Sequence, residues 1–382
     1  MSEQLSLLPA SALKAGPGDA VEEAVASGVQ LLDDDAAHAF VTAGAHDVYH
    51  LPGYTRACAA SEGGEPLFLL YRCPRGCVFA PLLKRPVGLF GSPRFDAASP
   101  YGYPGPLVRT DTPDAAAALL SEALDAMEGW LADAGLVSAV MRAHPILTPI
   151  SQDIYASGRA MQHGDVVIMN LADGYAGMWA QLRRRYRSYL NALDRDGVMV
   201  REDPDFTDLN AWLDVYHQSM RRLDAHPSYF FDAAYFLRLR AALGRQMRLY
   251  FARLNDEVVA GGIFFVCGDH AVWHLNATHD DWLARAPSKA VIWKVAQMLM
   301  AEGVRSINVG SGLGARHDAL FHFKQGFSKH TAAFSTVRLI GDPDAYAQLV
   351  AAWRTATTPD DDPGAMFPAY RAPVKRIAEP AV

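Results

Sequence analysis

Residues 259 to 327 read VAGGIFFVCGDHAVWHLNATHDDWLARAPSKAVIWKVAQMLMAEGVRSINVGSGLGARHDALFHFKQGF, and their periodicity changes three times. Two apolar runs meet at Gly268-Asp269, a good turn pair, and read as strands. A loop carrying Arg285, Ser288 and Lys289 follows. Apolar residues then recur at helical spacing from Ser288 to Glu302, and Ser306 to Val309 is a short strand. Strand, loop, helix, strand is an α/β crossover whose loop sits at a helix N-terminus, where unpaired N–H groups suit phosphate oxygens.

The same order precedes it. Pro66–Arg72 and Cys77–Leu83 read as strands about the turn Pro74-Arg75-Gly76, and Asp96 to Val108 is too rich in Pro and Gly to be regular. Asp114 to Asp133 reads as a helix stopped by Gly135, with Val137 to Arg142 a strand after it. A second pass opens with the strand Val166–Leu171. One helix is expected over Met178 to Asp196, with Trp179, Leu182, Tyr186, Leu190 and Leu193 on one face, ahead of a strand at Val198–Arg201. Helices are expected at Asp208–Leu223 and Asp232–Leu243, then a hairpin turning at Asn255-Asp256. Lys329 to Ile340 is a last strand. The halves share element order and no close sequence repeat.

A chain of 382 residues is long for one domain. The expected division is a loose arm over 1–28, α/β domains over 29–160 and 161–340, and a C-terminal helix and tail over 341–382 that packs back on the first domain. The formal charge of −7 disfavours a generic polyanion binder and leaves room for a local basic face. Four cysteines are too few for a disulfide scaffold. Cys73 and Cys77 have a zinc-like spacing, but no second ligand pair follows, and scattered histidines need no metal, so none is expected. The N-terminus has neither the basic start nor the apolar core of a secretory signal, and no run of 18 apolar residues occurs. A cytoplasmic protein without membrane insertion is expected.

Three constellations carry chemistry. In Arg285-Ala-Pro-Ser-Lys289-Ala290, Ser288 stands where a phosphate loop would have its first glycine, and Pro287 removes one N–H. A plain helix start reads equally well, with Ser288 capping and Lys289 solvated. Arg183, Arg184, Arg185 and Arg187 lie within two turns with no acid before Asp194, which suits an RNA backbone or a solvated face. Lys324, flanked by Phe323 and Phe327 in a segment expected to enter a strand, either snorkels or meets an anion. Tyr101 and Tyr103 sit in a Pro/Gly loop, which reads equally as a pocket lining and as a structural turn. No covalent nucleophile motif or Walker lysine occurs. Attack by an amine on an acyl donor needs neither, only proximity, an oxyanion donor and a route for the proton.

The crossover unit resembles that of GNAT acyltransferases. Ser99-Pro-Tyr-Gly-Tyr-Pro-Gly-Pro106, the basic helix ending at Gly197-Val198, the Gly303-Val304 turn and Phe323-Lys324-Gln325-Gly326-Phe327 resemble the Fem family of tandem-GNAT, aminoacyl-tRNA-dependent transferases. The resemblance runs from Val29 to Ile340. It implies two GNAT-like domains with mixed sheets and a cleft between them, and amide formation from charged tRNA with no cofactor. It also implies a catalytic role for Lys324. On that reading tRNA contacts are expected at Arg183, Arg184, Arg187, Arg285 and Lys289, and substrate contacts at Tyr101, Tyr103 and Asn276. Cell-wall members of the family tend to carry an acid where Arg109 stands, with Asp111 two residues on, and several have a coiled-coil arm that this sequence lacks. Both departures favour a small amine acceptor, as in antibiotic biosynthesis, over a peptidoglycan precursor. An acyl-CoA N-acyltransferase, a cross-bridge aminoacyltransferase and a non-enzymatic RNA-binding protein are the alternatives.

Overall fold

The computed structural model of the chain describes residues 27–357 and 366–373. The arm expected over 1–28 falls outside these but for its last two residues. Two compact units form: one runs to His163 and resumes at Phe334, and the other is Gly164–Ala333.

In chain order the first unit contains β1 (Gly28–Leu32), α1 (Asp34–Thr42), α2 (Pro52–Glu62), β2 (Glu65–Cys73), β3 (Gly76–Pro86), β4 (Phe95–Ala98), β5 (Leu107–Arg109), α3 (Ala116–Asp133), β6 (Leu136–Arg142) and α4 (Gln152–Ala156). The chain enters the second unit within β7 (Ala160–Asn170). There it forms α5 (Gly174–Gln181), α6 (Arg184–Arg195), β8 (Met199–Glu202), α7 (Leu209–Arg222), α8 (Ala233–Leu243), β9 (Met247–Leu254), β10 (Glu257–Cys267), β11 (His270–Thr278), α9 (Ser288–Ala301), β12 (Ser306–Gly310) and α10 (Ala319–Lys324). It returns within β13 (Thr331–Ile340) and ends its regular structure in α11 (Pro343–Ala356).

The strands of the first unit are ordered β1-β2-β3-β4-β6-β13, with β5 paired to β3. Those of the second are ordered β8-β9-β10-β11-β12-β7. Each unit is an antiparallel meander with one parallel pair, β4 with β6 and β11 with β12, and each parallel pair is joined through a helix, α3 or α9. This is an α/β fold of two GNAT-like units in tandem. The hairpin between β9 and β10 turns where expected, on Asn255 and Asp256, both at positive φ.

α9 is buried nearly all round in its first two turns, from Ser288 to Trp293, and then at Val295, Ala296 and Leu299. It lies in the core of the second unit with Val167, Phe264, Trp273, Ile307 and Phe327. In the first unit the segment carrying Tyr370 and Arg371 is fastened by a buried carboxylate. Asp96 pairs with Arg85 and Arg371 and accepts from the Tyr370 hydroxyl at 2.9 Å. Arg109 has a structural role there: fully buried, it donates to the carbonyls of Phe40 and Val41 and lies 4.4 Å from the Phe40 ring centre.

Three expectations fail. The stretch from Asp96 to Val108, expected to be irregular, opens in β4 and closes in β5. The helix expected over 178–196 is two helices, α5 and α6, separated by Leu182 and Arg183 in extended conformation. The Arg183 N–H leaves the helical ladder and donates to Gly326 O at 2.9 Å. Lys324, expected on the way into a strand, ends α10 instead. Asp318 starts that helix by accepting from Phe321 N, and its other carboxylate oxygen accepts from Leu313 N, each at 2.9 Å. The strand begins only at Thr331.

Candidate active site

The parallel strands β11 and β12 pair over only three residues, His270–Val272 against Ser306–Asn308. β11 then continues through Trp273 to Thr278, while β12 ends at Gly310. Beside the point where they part, α10 contributes Phe323 and Lys324. The Lys324 ammonium donates to Ser311 O at 2.6 Å and lies 5.7 Å from the Trp273 ring centre. Burial lowers its pKa to about 8, with Asp318 opposing the shift.

Phe323 is a wall shared with a second cation. Lys289, on the first turn of α9, has its ammonium 5.1 Å from the Phe323 ring centre, 4.8 Å from that of Tyr186 and 4.6 Å from that of Tyr189. It is therefore enclosed by aromatic faces, contrary to the solvated lysine of the plain helix start. Ser288 makes no side-chain cap either. Among the described residues no carboxylate pairs with Lys289. Burial, then the charge of Arg185, lowers its pKa to about 8. Burial pushes the Tyr186 phenol up to about 12, so the ring offers Lys289 a neutral face and no phenolate.

The run Phe323–Phe327 binds this cage to the start of α6. The Tyr186 hydroxyl donates to Phe323 O at 2.8 Å, and its ring meets Phe327 edge-on at 5.1 Å. A Cβ on Gly326 would fall 2.2 Å from the Tyr186 ring, so glycine is required by close approach. The result is two ammonium groups with lowered proton affinity, one on a carbonyl and one on aromatic faces, beside a pair of diverging strands. Such groups can hold a phosphate or stabilise an oxyanion.

Residues 180–325 match the family model described as an acetyltransferase (GNAT) domain. The crystal structure of FemX superposes with a TM-score of 0.65 at 12% identity, covering 84% of this chain and 99% of that one. The chain has a Fem-like GNAT fold. Weaker likenesses include L-PGS from Bacillus licheniformis (TM-score 0.49, 15% identity, 79% of this chain and 95% of that one). Another is a tandem GNAT protein from the clavulanic acid biosynthesis pathway (TM-score 0.42, 12% identity, 83% and 99%). No curated protein matches the sequence. The second unit thus carries an acyltransferase domain of the GNAT type. Among the described residues no helix is long and apolar enough to cross a membrane.

The remaining predicted residues of this Fem-like chain are dispersed. Arg183 and Arg184 are exposed at the start of α6, with Arg183 5.7 Å from the Tyr186 ring centre. Arg187 is turned inward, donating to Ala180 O at 3.0 Å over the Trp179 ring. Arg285 is paired with Asp196 at 3.0 Å and lies over Trp282. Asn276 is on β11, three residues beyond Trp273, with its side-chain oxygen buried. Tyr101 and Tyr103 belong to the first unit. Tyr101 O accepts from Tyr54, and the Tyr103 ring packs edgewise on Tyr49 and Phe334. Sequence reasoning missed Trp273, which alternation alone reads as core, and the Ser311 carbonyl, which no residue type advertises.

Proposed function

We propose that this GNAT-type acyltransferase takes an aminoacyl group from the 3′ end of a charged tRNA and transfers it to a small amine, forming an amide. The observation that carries the reading is the state of the loop ahead of α9. A coenzyme A pyrophosphate needs free N–H groups at that helix end. Here the N–H groups of Ala286, Lys289, Ala290 and Val291 are given to the carbonyls of Leu283, Ala286, Pro287 and Pro287 at 3.1, 3.1, 2.9 and 3.2 Å. Pro287 has no N–H, and Arg285 is held by Asp196. A donor gripped elsewhere, through RNA, avoids that requirement. The exposed Arg183 and Arg184, unpaired with any carboxylate among the described residues, suit its phosphates.

The acceptor nitrogen attacks the ester carbonyl. The C–N bond forms, the C–O bond breaks, and the ribose hydroxyl leaves with the proton that the amine gives up. Lys324 faces the carbonyl oxygen as negative charge builds there, and Lys289 holds an anionic part of the donor. The longest helix among the described residues is the 18-residue α3, so no coiled-coil arm stands ready for a large acceptor. This supports a small amine of the kind met in natural-product assembly.

Product should form with charged tRNA and vanish on RNase treatment. Turnover of acetyl-CoA with RNA absent would overturn the reading. It would favour an acyl-CoA N-acyltransferase, which the acetyltransferase description of the matching family model also suits.

A further inference from the structure

The buried polar atoms of the second unit without a hydrogen-bond partner include the indole N–H of Trp273 and the side-chain oxygen of Asn276. Leaving such groups unpaired in a protein interior is unfavourable. The positions of these two are related. The register of β10 against β11 sets Trp273 opposite Phe264 and Asn276 opposite Gly262. Both side chains therefore stand on the face of the sheet that carries Gly262 and Phe264. A Cβ at Gly262 would meet the Trp273 indole nitrogen at 3.3 Å and Val291 at 3.2 Å. The missing side chain at Gly262 lets the indole edge lie over β10, directly beside the residue that faces Asn276. Trp273 is also the first β11 residue past the end of pairing with β12, and its ring lies 5.7 Å from the Lys324 ammonium.

We infer that Trp273 and Asn276 read the acyl group itself: the indole N–H donates to its carbonyl oxygen, and the Asn276 oxygen accepts from its α-amine. This rests on the RNA-borne aminoacyl donor and adds to it a means of telling an aminoacyl group from a plain acyl group. A donor followed by an acceptor along one strand face matches a carbonyl followed by an amine on the next carbon. An acetyl group fills the first position and leaves the Asn276 oxygen unpaired, so the site rejects it by the loss of one hydrogen bond.

The test uses two unreactive probes: 3′-amino-3′-deoxyadenosine bearing glycine through an amide, and the same nucleoside bearing an acetyl group. They differ only in the α-amine, and both are the smallest of their class. Calorimetry on the full chain should show the glycyl probe bound at least about tenfold more tightly. Asn276→Leu should erase that preference while still binding the acetyl probe. Trp273→Phe should weaken both probes about equally and keep the preference. Asn276→Leu should not melt lower than the parent, because it removes an unpaired polar group. A structural role for Asn276 would instead lower that variant's melting temperature and weaken both probes in proportion. Equal affinity of the parent for the two probes would overturn the inference and leave the RNA-borne donor standing. Failure to bind either probe, with coenzyme A bound instead, would remove both.

Discussion

Lys324 is useful to an acyl transfer only while it carries a proton. Burial lowers its pKa to about 8, so the charge that meets a developing oxyanion is lost as pH rises through that value. The proposed aminoacyl transfer should therefore show kcat falling above about pH 8. Lys324→Arg should carry the plateau past pH 10, and Lys324→Met should cost about a hundredfold in kcat. A pH–rate profile of the three proteins checks this, and an unchanged falling limb in the arginine variant would assign it to another group. Lys289 carries the same depressed pKa, about 8 against an ordinary 10.5, and here the consequence is for stability. Between pH 8 and 10.5 the unfolded chain holds a proton at this position that the folded chain has released. Stability should rise with pH across that window and carry the full penalty below it. Lys289→Met should stabilise the protein at pH 7 by about 1–2 kcal/mol, allowing for solvent screening at the ammonium, and should flatten that slope. Denaturant titrations at pH 7 and pH 10 measure both effects. Lys324 was legible because it lies in a five-residue pattern. The cage around Lys289 on α9 was not, because its walls come from α6 and α10, and only folding brings Tyr186, Tyr189 and Phe323 together.

At the scale of elements, short-range patterns were read correctly and long-range ones were not. The limits of β10, β11, α9 and β12 follow from apolar period and turn residues, both local properties. The break between α5 and α6 does not, since Trp179, Leu182 and Tyr186 keep helical spacing across it. It exists because Arg183 N finds Gly326 O, a carbonyl 143 positions further along the chain. That contact makes Gly326 the hinge of the site's architecture. Gly326→Ala places a methyl 2.2 Å from the Tyr186 ring and must move either α6 or the end of α10. A cost of about 1–3 kcal/mol is expected. Tyr186→Leu should relieve part of it in a double-mutant cycle, whereas strict additivity in the cycle would contradict the steric account.

At the scale of the molecule, the two units share one strand order and differ at the point where a donor would enter. In the first unit, pairing of β4 with β6 runs to Ala98 and Val140 and is then continued by Ser99. The Ser99 N–H donates to Val140 O at 2.8 Å, and its hydroxyl accepts from Arg142 N at 3.0 Å. This parallel pair stays stitched to the last residue of β6. In the second unit the corresponding pair stops at Val272 and Asn308, and β11 goes on beyond it. The sequence showed the repeated order of elements, but not this asymmetry, which depends on one serine in a Pro/Gly loop. If donor binding requires parted strands, only the second unit can supply it. Hydrogen exchange on the full chain, with and without the glycyl aminonucleoside, should then show added protection at residues 273–278 and 306–311. Residues 95–99 and 139–142 should exchange at unchanged rates, because their amides are already bonded across the strands and no ligand enters there. Protection appearing at the Ser99 seam, and not beyond Val272, would place the donor in the first unit and remove Lys324 from the chemistry.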